Sequence, residues 1–197
     1  MEIGQQTESQ ERDQQPSTQQ NQSELTVYPF SEVDGNWTIS DAELNYVFMK
    51  MQDQKLVDMV FSQDRVENVY QFIALMKAKR NIVQFVWDGK DVIAVTWINS
   101  IGDNFAFGHF CVFKEAWGKR SEEIGALIKN YWFGLENNGK YVLDVIIGMM
   151  PTKNRIADNF VQRVGWIKIG VIPGMFRLMD GGRDDAVIYY TLRSDNG

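Results

Sequence analysis

Only one cysteine, Cys111, and one histidine, His109, occur in the chain. A single cysteine excludes an internal disulfide framework and matches a reducing compartment. A single histidine excludes a histidine-rich metal centre, and no metal site is expected. Positive charge is also in short supply: 20 Lys and Arg face 26 Asp and Glu, a net charge of −6. Nucleic acid and anionic membranes recruit basic faces, so neither is expected as the main partner. No apolar run approaches the ~20 residues that a membrane span needs. The opening residues MEIGQQTESQ have neither a basic n-region nor an apolar h-region. The expected location is the cytoplasm.

What is present divides in two. Residues 1–24 are rich in Gln, Ser and Glu and almost free of apolar side chains. Such a segment buries too little surface to offset its ordering entropy, so a disordered tail is expected, one that could dock on a protein partner. Residues 25–194 carry the pattern of one globular domain.

The pattern begins with LTVYPF (25–30), a short strand. Ser40-Asp41-Ala42-Glu43 is a capping box, and Leu44, Val47, Phe48 and Met51 follow at helical spacing. Asp64–Glu67 reads as a second cap, with Val66, Val69, Tyr70, Ile73 and Ala74 as its inner face. The period then changes. IVQFVW (82–87) and DVIAVTWIN (91–99) flank Asp88-Gly89-Lys90 as a hairpin, and NFAFGHFCVF (104–113) is a third alternating strand. A long helix follows, with Ile124, Leu127, Ile128, Tyr131, Trp132 and Leu135 on one stripe, ending at Asn137-Asn138-Gly139. YVLDVIIG (141–148) is nearly continuous and β-branched, the mark of a strand buried on both faces and parallel to a neighbour. A helix with Ile156, Ala157, Phe160, Val161 and Val164 inward comes next. WIKIGVI (166–172) and AVIYYTL (186–192) close the domain around the loop PGMFRLMDGGRDD. Trp87, Trp97 and Trp132 are expected in the core. The order predicts an α/β fold: a mixed, mostly antiparallel sheet with flanking helices and one parallel crossover.

A strand that feeds a glycine-containing loop and then a helix start offers free N–H groups and a positive dipole end to an anion. Phe113 to Ser121 has that form. Gly118 lets a backbone come close, Lys119 and Arg120 add positive charge, and Ser121 can cap the helix. Glu122 and Glu123 oppose a phosphate there. Cys111 reads first as a small buried apolar residue. Asp180, Asp184 and Asp185 could draw a cationic ligand.

That loop, the strand order and VIIGMMPTKNRIADNFVQRVGW (145–166) together resemble the GNAT-type N-acetyltransferases, and in particular the short acetyltransferase-like proteins of phages. The family carries an Arg/Gln-x-x-Gly-x-Gly/Ala loop after its fourth strand, and an Asn-x-x-Ala helix ending in Gly-Phe after its fifth. Asn154, Ala157, Gly165 and Trp166 follow the second pattern; Gly118 and Lys119 follow part of the first. The departures are Trp117 at the loop's start and Arg120 and Glu122 where glycines stand. Val161 lies where the family places a tyrosine acid.

The resemblance implies an acetyl-CoA-dependent transfer to an amine of a small molecule or protein, with the acceptor unidentified. It implies that the cosubstrate slots between splayed fourth and fifth strands along Phe110, Cys111, Val112 and Phe113. Gly148 would allow the approach, Asn154 would bond the pantetheine or hold the turn, and Trp117–Ser121 would hold the pyrophosphate. The base would be His109, with Glu115 and Asp144 behind it, and Tyr189 or Tyr190 could replace the missing acid. The degenerate loop leaves open a second reading, an inactive GNAT-like structural or host-interaction protein; a phage origin would then place it in host cytoplasm or virion.

Overall fold

A computed structural model describes residues 24–61, 66–178 and 181–193. The expectations for residues 1–23, for Asp64 and Arg65 within the second cap, and for Asp180 lie outside the described residues.

Seven strands form one sheet: β1 (Leu25–Phe30), β2 (Ile82–Asp88), β3 (Asp91–Asn99), β4 (Phe105–Val112), β5 (Val145–Pro151), β6 (Ile167–Arg177) and β7 (Arg183–Leu192). Their order across the sheet is β1-β2-β3-β4-β5-β7-β6. Every neighbouring pair is antiparallel except β4 and β5. Among the described residues five α-helices accompany it: α1 (Asp41–Asp53), α2 (Val57–Val60), α3 (Val69–Met76), α4 (Lys119–Phe133) and α5 (Arg155–Arg163). The parallel pair requires a crossover, and α4 supplies it.

Two apolar layers sandwich the sheet. On one face Leu44, Val47, Phe48 and Met51 of α1 and Phe72 and Met76 of α3 pack on Phe85, Val95 and Trp97. On the other, Ile124, Ile128 and Trp132 of α4 and Phe160 and Val161 of α5 pack on Ile98, Ala106 and Ile146. The capping box at Ser40 forms as its sequence predicts. Buried Gln84 pins α4 to the sheet: its Oε1 accepts from Trp132 Nε1 at 2.7 Å and from Thr96 Oγ1 at 3.3 Å. Satisfying this buried amide avoids a penalty of about 1–3 kcal/mol.

Several boundaries differ from the sequence reading. α3 is capped by Asn68, whose side chain accepts from Gln71 N. Its buried side is Phe72 and Met76, while Tyr70 is 81% exposed. α4 stops at Phe133. Asn138 and Gly139 turn a small ribbon, Glu136–Asn137 paired with Lys140–Tyr141, instead of ending the helix. β5 starts only at Val145; Asp144 just before it receives the Arg193 guanidinium. The expected loop after residue 172 is mostly strand: β6 runs through Pro173 to Arg177 with a register shift between Ile172 and Phe176. β6 is the sheet edge, where proline is tolerated.

Candidate active site

β4 and β5 pair over only three residues, Phe105–Phe107 against Val145–Ile147. Beyond these the strands part. β4 stays paired with β3 as far as Val112, and β5 with β7 as far as Pro151, so each is held from its outer side. Antiparallel ladders alternate, and the alternation shows which backbone groups face the gap. Phe113 N donates to Ile93 O. Counting back by twos, Cys111 and His109 also turn their amides to β3, which leaves the N–H groups of Phe110 and Val112 facing the gap. Thr152 N donates to Asp185 O; by the same count Met150 and Gly148 bond β7, and Met149 faces the gap. A cleft of about 820 Å³ opens here, reaching both faces of the sheet.

Gly148 lines the cleft and also packs closely on the aromatic layer beneath it. Its amide is spent on β7, and a Cβ there would come within 2.8 Å of the Trp166 ring. The missing side chain seats Trp166, which with Phe110, Trp132 and Phe160 forms an aromatic floor under the gap.

The β4–α4 connection forms the far wall. Val112 runs through a 3-10 turn, Lys114–Ala116, to Trp117 and Gly118. Trp117 Nε1 donates to Val112 O at 2.9 Å and fixes the turn. Gly118 is the N-cap of α4 with φ +89° and ψ −139°, and no side chain caps the helix. The first N–H groups of α4 are therefore left to a ligand or to solvent. Ser121 does not cap: its Oγ donates to Gly118 O at 2.7 Å. Lys119 is exposed. Arg120 turns away from the cleft, binding Asp88 at 2.8 Å and Glu123 at 2.8 Å. Glu122 lines the cleft, its charge matched by Arg163 of α5 at 2.9 Å. Thus the carboxylate that opposes an anion in the sequence carries its own counter-charge. Asn154 caps α5 through Oδ1, which accepts from Ala157 N at 3.1 Å, so it holds the turn.

On the α1–α3 face, His109 stacks on Trp97 with centroids 4.8 Å apart, and Trp97 stacks in turn on Phe61. His109 Nε2 lies 3.2 Å from Asn99 Oδ1. When Nε2 carries the proton of that bond, Nδ1 keeps the lone pair. Burial pushes the imidazole pKa down to about 4, so the ring is neutral at pH 7. Cys111 is buried on this face, and burial, followed by the charge of Glu115, pushes its thiol up to about 12. Phe113 is fully buried beneath the Lys50 ammonium.

The remaining expected residues lie elsewhere. Glu115 binds Lys50 at 2.5 Å and Gln54 at 2.8 Å outside the cleft. Burial would raise its pKa, but those hydrogen bonds outweigh it and hold the carboxyl below its usual value. Asp144 is engaged by Arg193 at 2.6 Å. Tyr189 is fully buried over α5, donating to Asp158 at 2.6 Å and accepting from Gln162 at 3.1 Å. Burial, then Asp158, drives its pKa up to about 12. Tyr190 is half-buried and outside the cleft lining. Asp184 receives Thr152 Oγ1 at 2.7 Å and Lys153 N at 3.0 Å, and Asp185 receives Gly174 N at 2.8 Å; both brace backbone. Among the described residues no cluster of His, Cys, Asp and Glu could hold a metal ion, and no helix is long and apolar enough to cross a membrane. Asn99, Ser100, Met59, Val60, Phe176 and Arg163 line the cleft unanticipated.

Compared with protein-family models and with curated proteins, the sequence has no match. Solved structures do resemble it. A microcin C7 self-immunity acetyltransferase in complex with acetyl-CoA and AMP is 16% identical, with a TM-score of 0.62 over 86% of this chain and 93% of that one. The spermidine N-acetyltransferase of Vibrio cholerae, in complex with CoA and spermine, is 17% identical, with a TM-score of 0.66 over 86% and 96%. The ribosomal-protein-S5-alanine acetyltransferase of Vibrio fischeri is 13% identical, with a TM-score of 0.61 over 87% and 94%. The class defined by the seven-strand sheet, the single parallel pair and the flanking helices is therefore the GNAT acetyltransferase fold. The likeness is one of architecture and extends over nearly the whole described chain.

Proposed function

We propose that this chain is an acetyl-CoA-dependent N-acetyltransferase. The observation that carries the reading is the gap between β4 and β5, where main-chain groups of Phe110, Val112 and Met149 face open space. Phe110, Val112 and Met149 are only partly buried, so in the open cleft these groups are left to water or to a ligand. An extended ligand with amides of its own would satisfy them as an added strand does, and a pantetheine arm is such a ligand. The residues present fit the cosubstrate: Phe110 and Met149 would hold the arm, and the uncapped start of α4 at Gly118–Arg120 would hold its pyrophosphate, with Lys119 adding charge. An inactive module that binds partners by its surface has no physical need of such a gap.

When bound, the thioester supplies the activated acetyl group. The chain's own part is to aim the N–H of Phe110 or Val112 at the carbonyl oxygen as charge develops on it. It also presents the amine from the α1–α3 face, beside His109 and Asn99, and excludes water with Trp166 and Phe160 below. With Val161 and Phe160 unable to donate a proton, the C–S bond breaks with the sulfur leaving as thiolate, which a thiol pKa near ~8.5 permits at neutral pH, and the proton of the newly acylated nitrogen passes to water. Without an acid the chemical step is expected to be slower by on the order of 10²-fold.

Isothermal titration of acetyl-CoA and free CoA into the full chain tests the reading. Micromolar binding is expected. No binding at millimolar ligand overturns it.

A further inference from the structure

The half of the cleft on the α1–α3 face differs chemically from the half on the α4–α5 face. Leu56, Met59 and Val60 at α2 and Phe107 on β4 make an apolar wall. Its polar end holds Asn99, Ser100 and His109. Among the described residues lining the cleft, the one carboxylate is Glu122, which belongs to α4 and is paired with Arg163. Ser100, which follows β3 in a left-handed conformation with φ +48°, stands at the rim of this half.

This wall decides between kinds of amine. A polyamine brings several ammonium groups, and each one taken from water without a carboxylate to receive it costs several kcal/mol. An apolar body gains about 25 cal/mol per Å² against the same wall. The second constraint is the proton. Nitrogen attacks only when neutral, and among the described residues lining this half there is no carboxylate, while the one imidazole, His109, is stacked on buried Trp97 and tied to Asn99, where burial makes it a feeble base with a pKa of about 4. A lysine-type amine, pKa ~10.4, is almost wholly protonated at pH 7; an α-amine, pKa ~7.7–8.0, is neutral in roughly a tenth or more of molecules, several-hundredfold more often.

Resting on the acetyl-transfer reading, we propose that the acceptor is a weakly basic amine carried on an apolar body, the α-amine of a residue with an apolar side chain, and not a polyamine. The side chain lies along Met59, Val60 and Phe107, and the nitrogen meets Asn99 and His109 at the gap.

The test is thiol release from acetyl-CoA by the full chain at pH 7 with four amines. Phenylalaninamide has both features, glycinamide lacks the apolar body, phenethylamine has the body with a more basic nitrogen, and spermidine has neither. Phenylalaninamide is expected to exceed each of the others in kcat/KM by at least about tenfold, the discrimination one apolar group gives. Met59→Glu, which places a charge on the wall, should lower that value about tenfold and leave the acetyl-CoA dissociation constant unchanged. Spermidine matching phenylalaninamide, glycinamide matching it, or no turnover of any amine despite acetyl-CoA binding would each overturn the inference alone. Failure of acetyl-CoA to bind would overturn the acetyl-transfer reading, and this inference with it.

Discussion

Replacing Gly118 by alanine tests whether the α4 start is a ligand cradle. A Cβ at this position meets nothing within 4 Å, so there is no steric penalty. The whole cost is conformational: φ +89° with ψ −139° is a region that L-residues avoid, worth about 1–3 kcal/mol. The protein can respond in two ways. If the loop keeps its geometry, stability falls by that amount, a drop in Tm of roughly 2–12 °C for a chain of this size. If the loop relaxes, the N–H groups of Gly118–Arg120 turn, and a charge-assisted hydrogen bond worth about 1.5–3 kcal/mol is lost from the phosphate. Acetyl-CoA binding then weakens by about tenfold to a hundredfold. Thermal unfolding and titration calorimetry on the same preparation read both arms. Unchanged Tm together with unchanged affinity would refute the cradle.

Tyr189→Phe is the matched control: it deletes a buried hydroxyl shared by Asp158 and Gln162, should cost about 1–2 kcal/mol in urea denaturation, and should leave acetyl-CoA affinity intact. His109 makes stability depend on pH. Its folded pKa is depressed to about 4 from 6.5, so the unfolded chain takes up the proton first as pH falls. Its contribution is full above about pH 6.5 and is lost progressively towards pH 4, by on the order of 3 kcal/mol. The carboxylates whose pKa is lowered also lose stability in acid, but equally in His109→Gln, so the difference between wild-type and variant urea midpoints should shrink from pH 7.5 to pH 4.5; a constant difference would contradict the assignment. Cys111, buried with its pKa pushed up to about 12, should resist a thiol reagent at pH 8 in the native state and react fully in denaturant, and rapid native labelling would contradict its burial.

Local chemistry made most of the fold legible. The Ser40 box, the Asp-Gly turn after β2 and the stripe Ile124, Ile128 and Trp132 announce their elements because a cap, a turn and a helical period are each decided within a few residues. β5 could be recognised as central and parallel from its unbroken apolar run. α3 is harder: its sequence VYQFIALM is interrupted only by Gln71, two faces are nearly equally apolar, and only tertiary packing selects Phe72 and Met76 over Tyr70. The site divides in the same way. His109, Phe110, Gly118 and Asn154 reach the cleft from motifs that carry their own signal. Glu115, Asp144, Tyr189 and Asp184 do not, because their partners Lys50, Arg193, Asp158 and Thr152 lie far away in sequence and take up their charges or hydroxyls. Met59, Asn99 and Phe176 enter from three separate elements, and nothing local marks a residue whose only distinction is what faces it.

The gap between β4 and β5 is lined by peptide groups, and of the substitutions a residue can undergo only proline removes a main-chain N–H. A ligand held there would be held by groups that most side-chain replacements leave in place, whatever stands at Arg120, Glu122 or Val161. The opposite mouth, made of side chains such as Met59 and Phe107, has no such protection and can be rewritten one residue at a time. On the acetyl-transfer reading, one sheet would thus meet the donor with its main chain and the acceptor with side chains that can be changed one at a time.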